Sequence, residues 1–161
     1  MTIQAGDRIP DATLNTFRDG GVQPVTTKDL FDGRKVVLFA VPGAFTPTCS
    51  ARHLPGYVDQ LASFRERGID VACVSVNDAF VMDAWRKSQD VPADITMLAD
   101  GNGDFARALG LELDATKFGM GHRSKRFALY AEDGVVKQLH VEAPGEFKVS
   151  SAEHVLEQLD A

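Results

Sequence analysis

Lys35-Val36-Val37-Leu38-Phe39-Ala40-Val41-Pro42-Gly43-Ala44-Phe45-Thr46-Pro47-Thr48-Cys49 is the stretch on which the fold turns. After the lysine its first residues are apolar and rich in β-branched side chains, with Gly33 and Pro42 as boundaries. A short run without polar alternation reads as a strand covered on both faces. Asp70 to Val76 has the same character. Between the two, Leu54, Tyr57, Val58, Leu61 and Phe64 recur at helical spacing within Thr48 to Arg67, and Gly68 is placed to end that helix. Strand, helix and strand in this order form a βαβ unit, whose crossover is expected to be right-handed. Pro55-Gly56 lies inside the helical pattern and predicts a kink there.

Outward from this unit, Ala12 to Phe17 and Val22 to Thr26 flank Asp19-Gly20-Gly21, which predicts an N-terminal β-hairpin. Asn77-Asp78 can cap a helix through about Ser88, in which Asp83 can pair with Arg86 or Lys87 on the solvent face. Thr96 to Ala99 reads as a short strand and Gly103 to Leu109 as a short helix. Arg126 to Ala131 and Val135 to Val141 form a second hairpin across Glu132-Asp133-Gly134. The last helix is predicted from Ser150, with Glu153 completing a capping box, to near Leu159. Alternating strands and helices followed by an antiparallel hairpin imply an α/β, thioredoxin-like fold with a mixed central sheet flanked by helices. No repeat or linker interrupts it, so a single domain over residues 1–161 is expected.

Composition bounds the function. The 161 residues are 44% hydrophobic and 25% charged, which suits a globular chain and not a disordered one. A net charge of -6 leaves no basic stripe to neutralise phosphates, so neither nucleic acid nor an anionic membrane is the expected partner. Val36 to Pro42 is too short to span a bilayer. Met1 to Pro10 lacks the charged and apolar regions of a secretory signal, which points to the cytoplasm. Its reducing conditions would keep both cysteines, Cys49 and Cys73, as thiols. They form neither a C-x-x-C pair nor a zinc-ligand spacing with histidine.

Thr46-Pro47 reads as N-cap and first helical residue, which places Cys49 in the first turn, at the C-terminal end of a buried strand. Unpaired backbone N–H groups and the positive end of the helix dipole favour thiolate over thiol there. This is how a nucleophile is built. Cys73, between Ala72 and Val74 in a strand, reads as inert core. His53, four residues after Cys49 on the same helical face, is open to three readings: a satisfied helix histidine, a base, or half of a metal site. No spacing supplies the two further ligands a metal would need. The interval from Cys49 to Arg52 is too short for a phosphate-binding loop. Gly119-Met120-Gly121-His122-Arg123-Ser124-Lys125-Arg126 concentrates four potential cations in an acidic protein. It reads as a solvated basic loop, except that Arg126 enters a strand, where a guanidinium can turn inward to stabilise a thiolate.

Together these segments resemble the peroxiredoxins, specifically the type II or peroxiredoxin-five subfamily. The family signature Pro-x-x-x-Thr-x-x-Cys is matched by Pro42, Thr46 and Cys49, and its distant arginine by Arg126 in Arg123-Ser124-Lys125-Arg126-Phe127. His53-Leu54-Pro55-Gly56 and Ser75-Val76-Asn77-Asp78-Ala79-Phe80 look like that subfamily in particular. The likeness runs from about Ile3 to Leu159. It implies a thiol peroxidase that reduces hydrogen peroxide and organic hydroperoxides without metal, haem or flavin. Cys49 would attack the peroxide; Thr46 and the Cys49 N–H would orient it; Arg126 would stabilise developing charge; and Pro42 would exclude water. Phe45 and Phe118 would form an apolar rim for alkyl hydroperoxides. Some relatives carry a resolving cysteine before the last helix, where Val149 stands here. The chain therefore departs toward a one-cysteine cycle, with glutathione and glutaredoxin as reductant first, thioredoxin second, and a homodimer as the family's usual state. The reading from another functional class is a thioredoxin-like redox-sensing or holdase module. A disulfide oxidoreductase is disfavoured because Thr46 stands where a C-x-x-C pair would have its first cysteine.

Overall fold

A computed structural model describes residues 2–161, so Met1, the first residue of the stretch read for a targeting signal, lies outside the described residues. The chain begins with a hairpin of β1 (Thr13–Arg18) and β2 (Gly21–Thr26), turned at Asp19 and Gly20 with φ of 54° and 79°. Two residues of positive φ match the right-handed twist of paired strands. A short helix α1 (Thr27–Phe31) follows, capped by the Thr26 hydroxyl, which accepts the Asp29 N–H. Then come β3 (Lys35–Val41), helices α2 (Leu54–Asp59) and α3 (Leu61–Glu66), and β4 (Ile69–Ser75). The chain continues through α4 (Ala79–Ser88), β5 (Ile95–Ala99), α5 (Asp104–Leu109), β6 (Glu112–Asp114), β7 (His122–Ser124), β8 (Phe127–Glu132), β9 (Val135–Val141) and α6 (Ala152–Asp160).

Seven strands form one mixed sheet in the order β2-β1-β5-β4-β3-β8-β9, while β6 and β7 pair apart as a small ribbon. β3 is central, parallel to β4 and antiparallel to β8. Its side chains alternate between two cores, which is why its sequence does not alternate in polarity. Val37, Phe39 and Val41 pack with residues of α2, α3, α4 and α6, and Val36, Leu38 and Ala40 with residues of α1 and α5. No described helix is long and apolar enough to cross a membrane.

Several local expectations shift, each for a physical reason. The kink predicted at Pro55 is replaced by a π turn over Cys49–His53 just before it. A widened turn accommodates a ring that cannot donate to the preceding turn and would clash with it. A real break comes at Gln60, whose ψ of 7° separates α2 from α3. Asp83 pairs with Arg86 and Lys87, both at 3.0 Å, but from a buried position and not the solvent face. The last helix is capped by Ser151, whose hydroxyl accepts the His154 N–H, one residue later than predicted. Ser150 is instead tied to Glu142, to whose carboxylate both its N–H and its hydroxyl donate.

Candidate active site

β3 ends at Val41, and Pro42 to Phe45 turn the chain into the helix that carries Cys49. The turn is tied to the end of β4: Asn77 Oδ1 accepts the Ala44 N–H at 3.0 Å and the Ser75 hydroxyl at 2.6 Å. Local spacing marked Asn77-Asp78 as a helix start, but Asp78 alone caps α4, accepting the Val81 N–H. A Cβ on Gly43 would sit 3.1 Å from both Thr46 Cγ2 and Arg123 Nη1, so a larger residue there would have to push these side chains aside. Phe45 takes a φ of 65°, a conformation that costs a side-chain-bearing residue about 1–3 kcal/mol.

Thr46 starts the helix as expected, its carbonyl accepting the Ser50 N–H at 2.9 Å. Its hydroxyl does not cap. It donates instead to the Gly43 carbonyl at 2.6 Å, which commits its proton and leaves the oxygen as an acceptor.

Cys49 opens the π turn and is fully buried. Arg126, at the entrance to β8, places Nη2 3.1 Å from Cys49 Sγ, and Nη1 of the same guanidinium lies 2.8 Å from His53 Nδ1. A guanidinium can only donate, so His53 Nδ1 must accept and the ring proton must sit on Nε2. That N–H donates to the Ser150 carbonyl at 3.0 Å, where the Tyr57 hydroxyl also donates at 2.8 Å. Burial, reinforced by the Arg126 charge, lowers the His53 pKa to about 3. His53 is therefore a neutral acceptor for Arg126, with neither nitrogen left for a metal or for proton abstraction. Its spacing from Cys49 put it on the right face; nothing in the sequence named its partner.

The strap from residue 143 to 150 covers this pair. The Phe147 ring lies edge-on to His53 at 4.9 Å, with Arg52 at 4.7 Å and Arg126 at 5.8 Å from its centroid. Glu142, which sequence reasoning missed, gathers the end of the strap. Its carboxylate accepts the backbone N–H groups of Lys148, Val149 and Ser150 and the Ser150 hydroxyl. Burial opposes its ionisation, but the Ser150 hydroxyl and these N–H groups outweigh it and hold its carboxyl below the usual range.

The Redoxin family profile matches residues 4–156. Peroxiredoxin-2E-2, chloroplastic, of Oryza sativa is 53% identical over 164 residues, covering 98% of this chain and 73% of the relative. Peroxiredoxin-2B of Arabidopsis thaliana is 45% identical over 159 residues, covering 98% of both. The chain is a peroxiredoxin. The crystal structure of reduced Prx3 from Vibrio vulnificus in complex with H2O2 superposes with a TM-score of 0.94 at 50% identity, over 98% of this chain and 99% of that one. The protein is thus an oxidoreductase that reduces peroxides at the expense of thiols, on the thioredoxin-like fold of its family.

Within this peroxiredoxin the remaining expected residues separate. Of the four cations before β8, Arg126 alone is hydrogen-bonded to the thiol. Arg123 is half-buried at the turn, its Nε donating to the Met120 carbonyl at 2.8 Å, and His122 and Lys125 are exposed. Phe45 and Phe118 are 54% and 70% exposed. Pro42 is half-buried at the start of the turn. Cys73 is a free, fully buried thiol in the interior of β4, and burial, with Cys49 next in effect, pushes its pKa well above the ordinary value.

The state of His53 has a consequence for stability. An unfolded histidine takes up its proton near pH 6.5, whereas folded His53 resists until about 3. Between those values the unfolded chain binds one more proton, so stability falls as pH falls, by up to about 1.4 kcal/mol per unit. Its contribution is complete above pH 6.5. Urea unfolding at pH 7 and pH 5 is expected to show the native protein losing about 2 kcal/mol more between the two than a His53→Gln variant. Equal losses would mean that His53 is protonated in the fold.

Proposed function

We propose that Cys49 is the nucleophile of this peroxiredoxin and that it works in a one-cysteine cycle. The observation that carries the reading is the 3.1 Å contact between Arg126 Nη2 and Cys49 Sγ in a protein whose other cysteine is sealed in a strand. The Cys49 thiolate attacks one oxygen of the peroxide; the O–O bond breaks, sulfur takes the hydroxyl as sulfenic acid, and the other oxygen leaves as alkoxide or hydroxide and is protonated. The Thr46 oxygen accepts the peroxide O–H, a role its bond to Gly43 leaves open, and the Cys49 N–H helps to orient the substrate. Arg126 stabilises both the thiolate and the charge that develops on the leaving oxygen. Pro42 excludes water, and Phe45 and Phe118 form the apolar rim that admits alkyl hydroperoxides.

The sulfenic acid is reduced from outside. One thiol displaces water to give a mixed disulfide, and a second thiol releases Cys49 as thiol and leaves with the first as a disulfide. Glutathione with glutaredoxin is the preferred reductant and thioredoxin the second. Val149 stands where some relatives carry a resolving cysteine, and the high pKa of buried Cys73 makes it a poor substitute. The family resemblance supports a homodimer of this single domain.

The test is steady-state peroxide consumption by the Cys73→Ser variant with glutathione and glutaredoxin, and separately with thioredoxin and its reductase. The variant is expected to turn over within about twofold of the native protein, with the glutathione system the faster. Loss of turnover in Cys73→Ser would make Cys73 a resolving residue. A protein that oxidises once and cycles with neither system would be a redox-sensing module.

A further inference from the structure

Four hydrogen bonds close a circuit around the guanidinium that touches Cys49. Arg126 Nη1 donates to His53 Nδ1 at 2.8 Å, and His53 Nε2–H donates to the Ser150 carbonyl at 3.0 Å. The Ser150 N–H donates to Glu142 Oε2 at 2.7 Å, and the Glu142 N–H donates back to the Arg126 carbonyl at 3.0 Å. Glu142 thus holds both ends: the main chain of Arg126 directly, and its side chain through the strap and His53. Glu142 is 7% exposed, and its carboxylate is the common acceptor for three successive backbone N–H groups and one hydroxyl. Charge-assisted bonds of this kind are the strong ones, and their convergence fixes where the Ser150 carbonyl points. Without the carboxylate those N–H groups lose their shared partner and the strap loses its anchor.

We propose that Glu142 is a positioning residue for peroxide reduction, setting the Arg126 guanidinium against Cys49 through the Ser150 carbonyl and His53. The inference rests on the reading of Cys49 and Arg126 given above, and Glu142 itself touches no reacting atom. A catalytic group displaced by about 1 Å can cost on the order of a hundredfold in rate. The strap has no regular secondary structure to hold it, so its geometry depends on the acceptor at its root.

Glu142→Gln tests this with the backbone link to Arg126 intact. One acceptor oxygen becomes an NH2 group facing backbone donors. Single-turnover oxidation of the reduced variant by hydrogen peroxide is expected to be about 10–100-fold slower than in the native protein, with the circular dichroism spectrum unchanged. The ring 15N signals of His53 should shift as its bond to Ser150 is lost, a change that a distant structural defect would not produce. A native rate would overturn the proposal, and so would a slow rate with native His53 signals. Ser150→Ala, which deletes only one of the bonds to Glu142, keeps the question open to measurement should Glu142→Gln fail to fold. It is expected to slow the reaction about 2–5-fold and move the same signals in the same direction; no change in either would contradict the proposal. If native Cys49 is not oxidised at all, the underlying reading fails; if native Cys49 reacts and Glu142→Gln matches it, only the role of Glu142 fails.

Discussion

Arg126→Met is expected to lower the second-order rate constant for hydrogen peroxide by about 10²–10³-fold, the usual cost of removing a preorganised donor aimed at developing charge. Methionine fills much of the same volume, so the loss is of charge and of two directed N–H groups and not of packing. The guanidinium spans both partners at once, Sγ at 3.1 Å and His53 Nδ1 at 2.8 Å. Lysine carries the charge but not the planar fork, so Arg126→Lys is expected to recover only part of the rate. Arg126→Met also leaves His53 Nδ1 without a donor in a buried position, which costs about 1–3 kcal/mol of stability. Stopped-flow tryptophan fluorescence gives the rate: the Trp85 indole donates to Ser50 Oγ at 3.0 Å, one residue from the thiol. A rate within threefold of native would show that the arginine does not act on the reacting atoms.

Cys49→Ser is expected to abolish peroxide consumption above the uncatalysed background. The oxygen of serine is nearly isosteric with sulfur, so the site keeps its shape. A hydroxyl is not ionised near neutral pH, however, and oxygen is not readily oxidised to the state that sulfenic acid represents. Thr46, the backbone N–H of residue 49 and Arg126 would then bind a peroxide without reducing it. Monitoring residual peroxide under excess thiol distinguishes this from partial loss. Consumption that survives in Cys49→Ser and vanishes in Cys73→Ser would exchange the roles of the two cysteines.

What the sequence carries of this arrangement follows from how local each signal is. β3 and β4 are legible because burial on both faces leaves unbroken apolar runs, and the hairpins because Asp-Gly turns punctuate them. α1 and the β6–β7 ribbon are not legible: each is five residues or fewer per element, too short for a period to emerge. The π turn hides because Cys49 and His53 share a face in a regular helix too. Thr46 is recognisable as the helix start, but which way its hydroxyl points depends on the Gly43 carbonyl, a feature of the turn. Arg126 carries a family signature, whereas its contacts require β3 and β8 to be adjacent in the sheet. Glu142 gives no signal because most of what it binds is main chain, whose donors exist at almost every position.

The most direct measurement treats reduced protein with one equivalent of hydrogen peroxide, traps the product with a sulfenic-acid reagent, and maps the adduct by intact and peptide mass. One adduct is expected, on Cys49 and equally in Cys73→Ser, and with the trap omitted glutathione is expected to return the oxidised Cys49 to the thiol. A disulfide between Cys49 and Cys73, or an unmodified Cys49 after the peroxide has gone, would contradict this expectation.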